Sequence, residues 1–329
     1  GYNLGINING IYTYNDDLSQ LQNKYIFPSN TISLVDITSS SNSNKNIRGF
    51  AQFHMSNRDK IVLLILNGFY LVILTEKGEF LFQEKININS DSAIQENALI
   101  SIVPYKIDGN NYYYVLSYVG KFNIYFTYYK FSKGNKNQII FNYEYFPYFI
   151  NSINTDYNIK DSTCQVLFLP SFSINNQNHS SNVLTCFYSI TNHPKISSTS
   201  FYIDENGFVP ILNITDIALT QNMENIKAVS LSTENNNNLF LCFQESDGII
   251  KCTIFNNQNT FQFNSEYFCE RCDLGSMKLF YFVSTQEAIM TCLNYASELC
   301  QIKANNKGEI SKINDYKIKD SYNTFFFSL

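Results

Sequence analysis

Short apolar or alternating runs recur along the whole chain. They are rich in Ile, Val, Tyr, Phe and Thr and are broken by Asn, Gly, Asp and Ser. Spacing near 3.6 residues, which would mark an amphipathic helix, is almost absent, so the pattern predicts strands joined by turns. One unit repeats: four runs separated by a polar gap and two tight turns. The runs of the first unit are Phe50–Phe53, Ile61–Leu66, Phe69–Leu74 and Phe80–Glu84, and those of the second are Leu99–Val103, Tyr112–Tyr118, Phe122–Phe131 and Ile139–Tyr145. The third unit has Val166–Leu169, Val183–Tyr188, Ser200–Ile203 and Phe208–Leu212. The fourth has Ala228–Ser232, Leu239–Phe243, Ile249–Phe255 and Thr260–Phe263, and the fifth Lys278–Val283, Ala288–Leu293, Cys300–Ala304 and Glu309–Ile313. First runs begin about 45 to 65 residues apart, near the period of propeller blades with insertions.

In three units the turn before the fourth run repeats its chemistry: Thr75-Glu76-Lys77-Gly78, Asp204-Glu205-Asn206-Gly207 and Asn305-Asn306-Lys307-Gly308. Glycine there supplies the positive φ that tight hairpins need. Two ends are left over. Tyr2–Ile8, Gly10–Tyr14 and Leu21–Phe27 resemble the second to fourth runs of a unit, and Thr324–Leu329 resembles a first run. Joined, they make a sixth unit, as in a propeller whose last blade is built from both termini. The predicted fold is therefore an all-β propeller of six four-stranded blades, one domain over residues 1–329. Its units fall at 49–90, 98–150, 164–215, 227–268, 277–318 and 323–329 with 1–28. A pair of β-sandwiches does not explain the repeated turn, and a seventh blade within 146–160 is the less economical alternative. If the last strand came from a neighbouring molecule instead, the same sequence would build a homopolymer through its terminal strands.

Composition narrows the class. Of the 329 residues, 44% are hydrophobic and 16% aromatic, with 24 Tyr, 28 Phe and no Trp, while 16% are charged. AT-rich codon usage accounts for the excess of Asn, because the Asn runs are short and divided by apolar segments. The net charge of −5 with no basic stripe argues against nucleic acid as a partner, since a duplex binder needs clustered Lys and Arg. The longest apolar stretch, Ile61–Leu74, is cut by Asn67-Gly68 and is too short for a membrane span. The chain opens without Met or a basic signal segment and closes on Phe325-Phe326-Phe327-Ser328-Leu329, so a piece of a longer precursor is expected.

Eight cysteines are present: Cys164, Cys186, Cys242, Cys252, Cys269, Cys272, Cys292 and Cys300. A zinc site calls for paired Cys-x-x-Cys knuckles or nearby His. The only such pair is Cys269-Glu270-Arg271-Cys272, and His54, His179 and His193 lie far from it in sequence. Disulfides are the expected state. Cys242 and Cys252 flank the hairpin turn Gln244–Gly248, and Cys292 and Cys300 flank a similar segment, so Cys242–Cys252 and Cys292–Cys300 are expected to pair across hairpins. Cys164–Cys186 joins neighbouring strands of one unit, and Cys269–Cys272 follows by subtraction. Redox chemistry at the latter is disfavoured because no thioredoxin-like strand–helix context surrounds it. Eight paired cysteines place the chain in an oxidising compartment. The sequons Asn178-His179-Ser180 and Asn213-Ile214-Thr215 fit that compartment as N-glycosylation candidates.

Catalytic motifs are missing. There is no Gly-x-Ser-x-Gly elbow, His-Glu-x-x-His, Walker loop or dinucleotide fingerprint, no Asp-x-Asp-x-Asp calcium series, and no sialidase-type Asp box. Neither a cofactor nor a metal is expected. His54 reads as a packed or channel-lining residue, and Asp16, Asp17 and Asp161 read as turn residues. Tyr112-Tyr113-Tyr114 and Tyr125–Tyr129 read as strand packing ahead of a binding platform.

Pro104-Tyr105, Tyr112-Tyr113-Tyr114-Val115-Leu116-Ser117-Tyr118, Cys164-Gln165 and Leu184-Thr185-Cys186-Phe187-Tyr188 carry a loose pattern of strands and cysteines. With the later cysteine hairpins, this pattern resembles the propeller-like ectodomains of large cell-surface proteins of ciliates and similar protists, over roughly residues 95–300. The resemblance implies an extracellular, non-enzymatic surface coat, adhesion or filament component whose partners are proteins, including copies of itself. The competing class is a ligand-binding, lectin-like propeller that takes glycans.

Overall fold

The structure is a computed structural model. It describes residues 3–7, 10–14, 21–26, 47–54, 60–66, 70–75, 80–85, 101–119, 123–133, 139–142, 148–151, 158–204, 207–219, 221–231, 238–256, 268–272, 277–282, 285–294, 298–317 and 325–328. These form two compact units. One comprises Gly1–Leu116, Tyr128–Tyr145 and Tyr322–Leu329, and the other Ser117–Thr127 and Phe146–Ser321.

The first unit contains β1 (Asn3–Asn7), β2 (Gly10–Tyr14) and β3 (Leu21–Ile26), then β4 (Ile47–His54), β5 (Lys60–Leu66), β6 (Tyr70–Thr75) and β7 (Phe80–Lys85). Strands β4 to β7 form one antiparallel meander. Strands β1 to β3 form another, and its free edge on β1 is filled by the last strand of the chain, Phe325–Ser328, with Asn3 opposite Ser328 and Ile6 opposite Phe325. The blade built from both termini thus forms as expected. A further sheet is made by β8 (Ser101–Asp108), β9 (Asn111–Val119), β10 (Asn123–Lys133) and β11 (Ile139–Asn142). Strand β12 (Tyr148–Asn151) pairs with the first half of β10, Asn123 to Phe126, and so extends this sheet instead of starting a seventh blade.

The second unit holds three more meanders. They are β13 (Ile159–Ile174) to β16 (Gly207–Ala218) through β14 (Gln177–Ile190) and β15 (Lys195–Asp204); β17 (Met223–Ser230) to β20 (Phe268–Cys269) through β18 (Asn238–Glu245) and β19 (Ile250–Asn256); and β21 (Lys278–Phe282) to β24 (Ile310–Lys317) through β22 (Glu287–Leu293) and β23 (Glu298–Asn305). The terminal strand Phe325–Ser328 is β25. Six sheets, each with a four-strand antiparallel path, make the fold an all-β propeller of six four-stranded blades. The fourth run expected at Thr260–Phe263 lies outside the described residues, and the described fourth strand of that sheet is β20.

Burial explains why the runs are so apolar. Strand β18 is buried at nearly every position because both of its faces are covered. Leu239, Leu241 and Phe243 pack with Leu167, Val183, Phe187 and Ile196 of the preceding sheet. Phe240 and Cys242 pack with Ala288, Met290, Cys292 and Ile302 of the following one. A strand buried on two faces loses the alternating pattern and becomes a continuous apolar run. Turn chemistry follows the repeat. In the repeated turn Gly207 and Gly308 adopt φ of 125° and 82°, Gly308 donates its N–H to the Asn305 carbonyl at 3.0 Å, and Gly78 lies outside the described residues. Asn305 Oδ1 also accepts from Lys307 N and Glu309 N, at 3.0 and 3.1 Å, which fixes the turn from inside.

Candidate functional site

Four places in the fold collect polar, aromatic or sulfur chemistry.

The first runs along the facing edges of β13 and β17. Asp161 and Gln165 project from β13 toward β17. Asp161 Oδ2 accepts Ile226 N–H at 2.9 Å, its Oδ1 accepts Ser162 N–H at 2.8 Å, and Gln165 Nε2 donates to the Ala228 carbonyl at 2.7 Å. Edge strands leave a row of backbone groups without ladder partners, and here side chains of the adjacent sheet satisfy them. Asp161 is therefore a strand residue that caps a neighbouring edge, not the turn residue expected. The local pattern around Asp161 does not mark this role, because its partner lies 65 residues away. Part of Asp161 keeps solvent contact, but burial of its carboxylate raises the pKa. Lys227, the two backbone N–H groups and Lys160 pull the other way and do not overcome it. Lys160 also pairs with Glu224 at 2.8 Å.

On β21, burial and the nearby charge of Lys227 lower the Lys278 pKa to about 8, from the ordinary 10.5. Below about pH 8 both folded and unfolded chains hold this proton. Between there and 10.5 only the unfolded chain does, so unfolding free energy rises with pH across that window. The gain is about 2 kcal/mol at the upper end, after discounting for partial exposure. Urea unfolding of the wild type and Lys278→Met across this range checks it: the methionine variant should lose the rise, and an unchanged slope would refute the assignment.

The tyrosine-rich segments form the second place, and they pack. Tyr112, Tyr113, Tyr114, Tyr128 and Tyr129 are all buried. Their rings stack in pairs across β9 and β10, with Tyr113 against Tyr128 at 5.7 Å and Tyr114 against Tyr129 at 5.4 Å. Lys106 and Lys130 sit over the Tyr113 ring, at 4.7 and 5.5 Å from its centroid.

The third place is the hairpin of β13 and β14, which runs well past the core and was not foreseen. The polar gap between Leu169 and Val183 is itself strand, turned by Asn175 and Asn176 at φ of 49° and 64°, as a type I′ turn requires. Phe172 lies opposite His179 in this ladder. Their rings stack at 5.5 Å with an interplanar angle of 22°. Tyr202 of β15 closes a trio, 5.6 Å from Phe172 and 5.5 Å from His179. All three are half-buried. Phe172 rests on the core between the sheets while the trio keeps a solvent-facing side. Asn178 points to the other face, is exposed, and accepts from Ser173 Oγ at 3.2 Å. The signal for this site was the symmetry of Phe172 and His179 about the Asn-Asn pair.

The cysteines make the fourth. Cys164–Cys186 and Cys242–Cys252 join register partners, as expected. Cys292 and Cys300 are also register partners, yet the bonds formed are Cys269–Cys300 and Cys272–Cys292, correcting both Cys292–Cys300 and Cys269–Cys272. The Cys-x-x-Cys segment folds onto β22 and β23 from outside their sheet. Ile250 pairs with Cys269, Gly248 accepts Cys272 N–H at 3.0 Å, and Gln244 Nε2 donates to the Cys272 carbonyl at 3.0 Å. Arg271, at φ 54°, turns the segment so that both of its cysteines are buried.

Of the remaining candidates, Asn213 lies in β16 and His54 ends β4, with side chains outside the described residues, as are Asp16 and Asp17. Among the described residues no helix is long and apolar enough to cross a membrane.

No protein-family model and no curated protein sequence matches the chain. Solved structures do. A mutant of AofleA from Arthrobotrys oligospora is similar at 12% identity and a TM-score of 0.51, over 84% of this chain and 74% of that one. Aleuria aurantia lectin, described as a six-bladed β-propeller with a novel fucose recognition mode, is similar at 11% identity and a TM-score of 0.48, over 83% and 78%. SapL1 lectin, solved with α-methyl fucoside, is similar at 9% and 0.47, over 83% and 82%. At these identities the likeness is one of fold, and the fold is the six-bladed β-propeller.

Proposed function

We propose that this protein is a non-enzymatic, glycan-binding propeller, with the Phe172–His179–Tyr202 trio as the sugar platform. The trio carries the reading. A pyranose has an apolar C–H face and a polar rim, and it is held by an aromatic face beside hydrogen-bonding groups. Three rings converge here outside the core, and Ser181 and Asp204 lie on the same strand face by alternation. The lectins named above support the reading in kind, since one is described by its fucose recognition and another was solved with a fucoside. Four disulfides favour an oxidising, extracellular setting, where Asn178 and Asn213 are the glycosylation candidates. Display on a protist cell surface, and closure of residues 1–329 as one domain, belong to the same proposal.

The test is a glycan array followed by titration calorimetry on the best sugar. Phe172→Ala and Tyr202→Ala should each weaken binding by about tenfold, the value of roughly one aromatic contact. Far-UV circular dichroism should be retained. Unchanged affinity in both variants, or a blank array, overturns the reading.

A further inference from the structure

The two disulfides that tether the Cys-x-x-Cys segment differ from the other two in one respect. Cys164–Cys186 and Cys242–Cys252 are isolated cross-strand pairs. In contrast, the Sγ atoms of Cys269, Cys292 and Cys300 all lie within 4.8 Å of one another, and the fourth sulfur, of Cys272, is bonded to that of Cys292. All four residues are buried, at 0 to 3% exposure. Three sulfurs, from β20, β22 and β23, therefore lie together, and the fourth, of Cys272, joins the group through its bond to Cys292. Two independent disulfides do not require such convergence, whereas a tetrahedral metal–thiolate centre does. Its ligands come as a short Cys-x-x-Cys knuckle plus two cysteines delivered by fixed strands.

We infer that Cys269, Cys272, Cys292 and Cys300 form a two-state sulfur centre: a pair of disulfides when oxidised, and a tetrathiolate site for zinc when reduced. This proposal stands independently of glycan binding. The chemistry balances with a phosphine as the reductant. Each disulfide takes two electrons from one phosphine and two protons from water, giving two thiols, and the water oxygen leaves as phosphine oxide. The four thiols then lose four protons as one divalent ion binds, leaving a centre of charge −2. Soft thiolate ligands in a tetrahedral S₄ set select zinc over hard cations such as magnesium or calcium. The ladder of β22 and β23 holds Cys292 and Cys300 side by side in either state, and the hydrogen bonds of Cys272 to Gly248 and Gln244 hold the knuckle in place without the disulfides.

The full chain, reduced with phosphine under argon, is titrated with Co²⁺ and then Zn²⁺. The expected result is one equivalent of cobalt bound, with sulfur-to-cobalt charge transfer and the visible bands of a tetrahedral thiolate site, bleached stoichiometrically by zinc. Alkylation mapping of the zinc-loaded chain should protect these four cysteines and label Cys164, Cys186, Cys242 and Cys252. Should reduction unfold the chain, the same mapping is applied after refolding from denaturant with one equivalent of Zn²⁺ and no oxidant. Absence of tetrahedral thiolate bands in a folded reduced chain, or equal labelling of all eight cysteines after refolding with zinc, overturns the proposal. Cys272→Ser should shift the cobalt spectrum and weaken zinc binding by at least about 100-fold, while a Cys242→Ser/Cys252→Ser variant should leave both unchanged.

Discussion

Replacing Asp161 by alanine should destabilise the protein by about 3 kcal/mol, and replacing it by asparagine by about 2 kcal/mol. The carboxylate accepts two backbone N–H groups at once, from Ser162 and from Ile226 on the next sheet. Alanine leaves both donors without a partner. Asparagine keeps one acceptor oxygen but turns an NH₂ donor toward the other N–H, so one bond is lost and a donor–donor contact is made. Either loss falls on the facing edges of β13 and β17, beside the Gln165 bond to Ala228.

The pH dependence separates this role from simple packing. Burial holds the Asp161 pKa above its ordinary 3.8, against Lys227, the two N–H donors and Lys160. A carboxyl with a raised folded-state pKa favours folding while it is protonated. That contribution is complete below the unfolded value and is lost as pH rises through the folded one. The difference in unfolding free energy, wild type minus Asp161→Asn, should therefore fall as pH climbs from below 3.8 toward neutrality. Other titrating groups cancel in that difference. Urea unfolding of both proteins across the acid range measures it, and a difference that stays flat or rises with pH would remove Asp161 from this role.

The blades were legible because a propeller repeats one local problem. Each unit needs a buried central strand: Leu184–Phe187 and Leu241–Phe243 are buried at every position and Met290–Leu293 at alternate ones, each run with a cysteine inside. Each also needs a last hairpin turn, which Gly207 and Gly308 write as positive-φ glycine. Cys242–Cys252 was legible because a hairpin with a known turn fixes its own register, and Cys164–Cys186 because its two cysteines fall on neighbouring strands of one unit. What escaped the sequence were features joining separate units or changing role within one. Asp161 meets a strand of the next sheet, and periodicity within a run carries no trace of that. Cys292 and Cys300 do face each other as the hairpin demands, but a distant knuckle reaches both sulfurs. The ring trio lay in a segment whose Asn, Ser and His content reads as loop, although the ladder continues through it to the Asn175-Asn176 turn. Tyrosine clusters carried the opposite lesson, since a dense aromatic run on paired strands stacks on itself and leaves little ring face for a ligand.

Ending the chain at residue 323 should convert the protein from a monomer to dimers and larger species. In five sheets the strand that begins the unit, β4, β8, β13, β17 or β21, occupies one edge, and its polypeptide continues directly into the next strand. In the sixth, that edge position is taken by β25, so the first and last segments of the chain meet only through hydrogen bonds. Four register pairs hold it, Asn3 with Ser328 through Ile6 with Phe325. At about 1 kcal/mol per backbone bond, the ladder contributes on the order of 4 kcal/mol, and its loss should lower Tm by about 5–10 °C. Deletion also opens the whole edge of β1 as a template for another chain. The truncated protein should bind a peptide of residues 324–329 carrying a solubilising lysine tail, and the peptide should restore the monomer and most of the lost Tm. Sedimentation velocity and thermal melts with and without peptide read both effects. If the truncated chain stays monomeric with an unchanged melt, the pairing of the two termini does not close this blade. If it assembles into long, peptide-sensitive polymers, the joint is the open edge of β1 itself, because the truncated chain has no β25 to donate and the peptide competes for that edge.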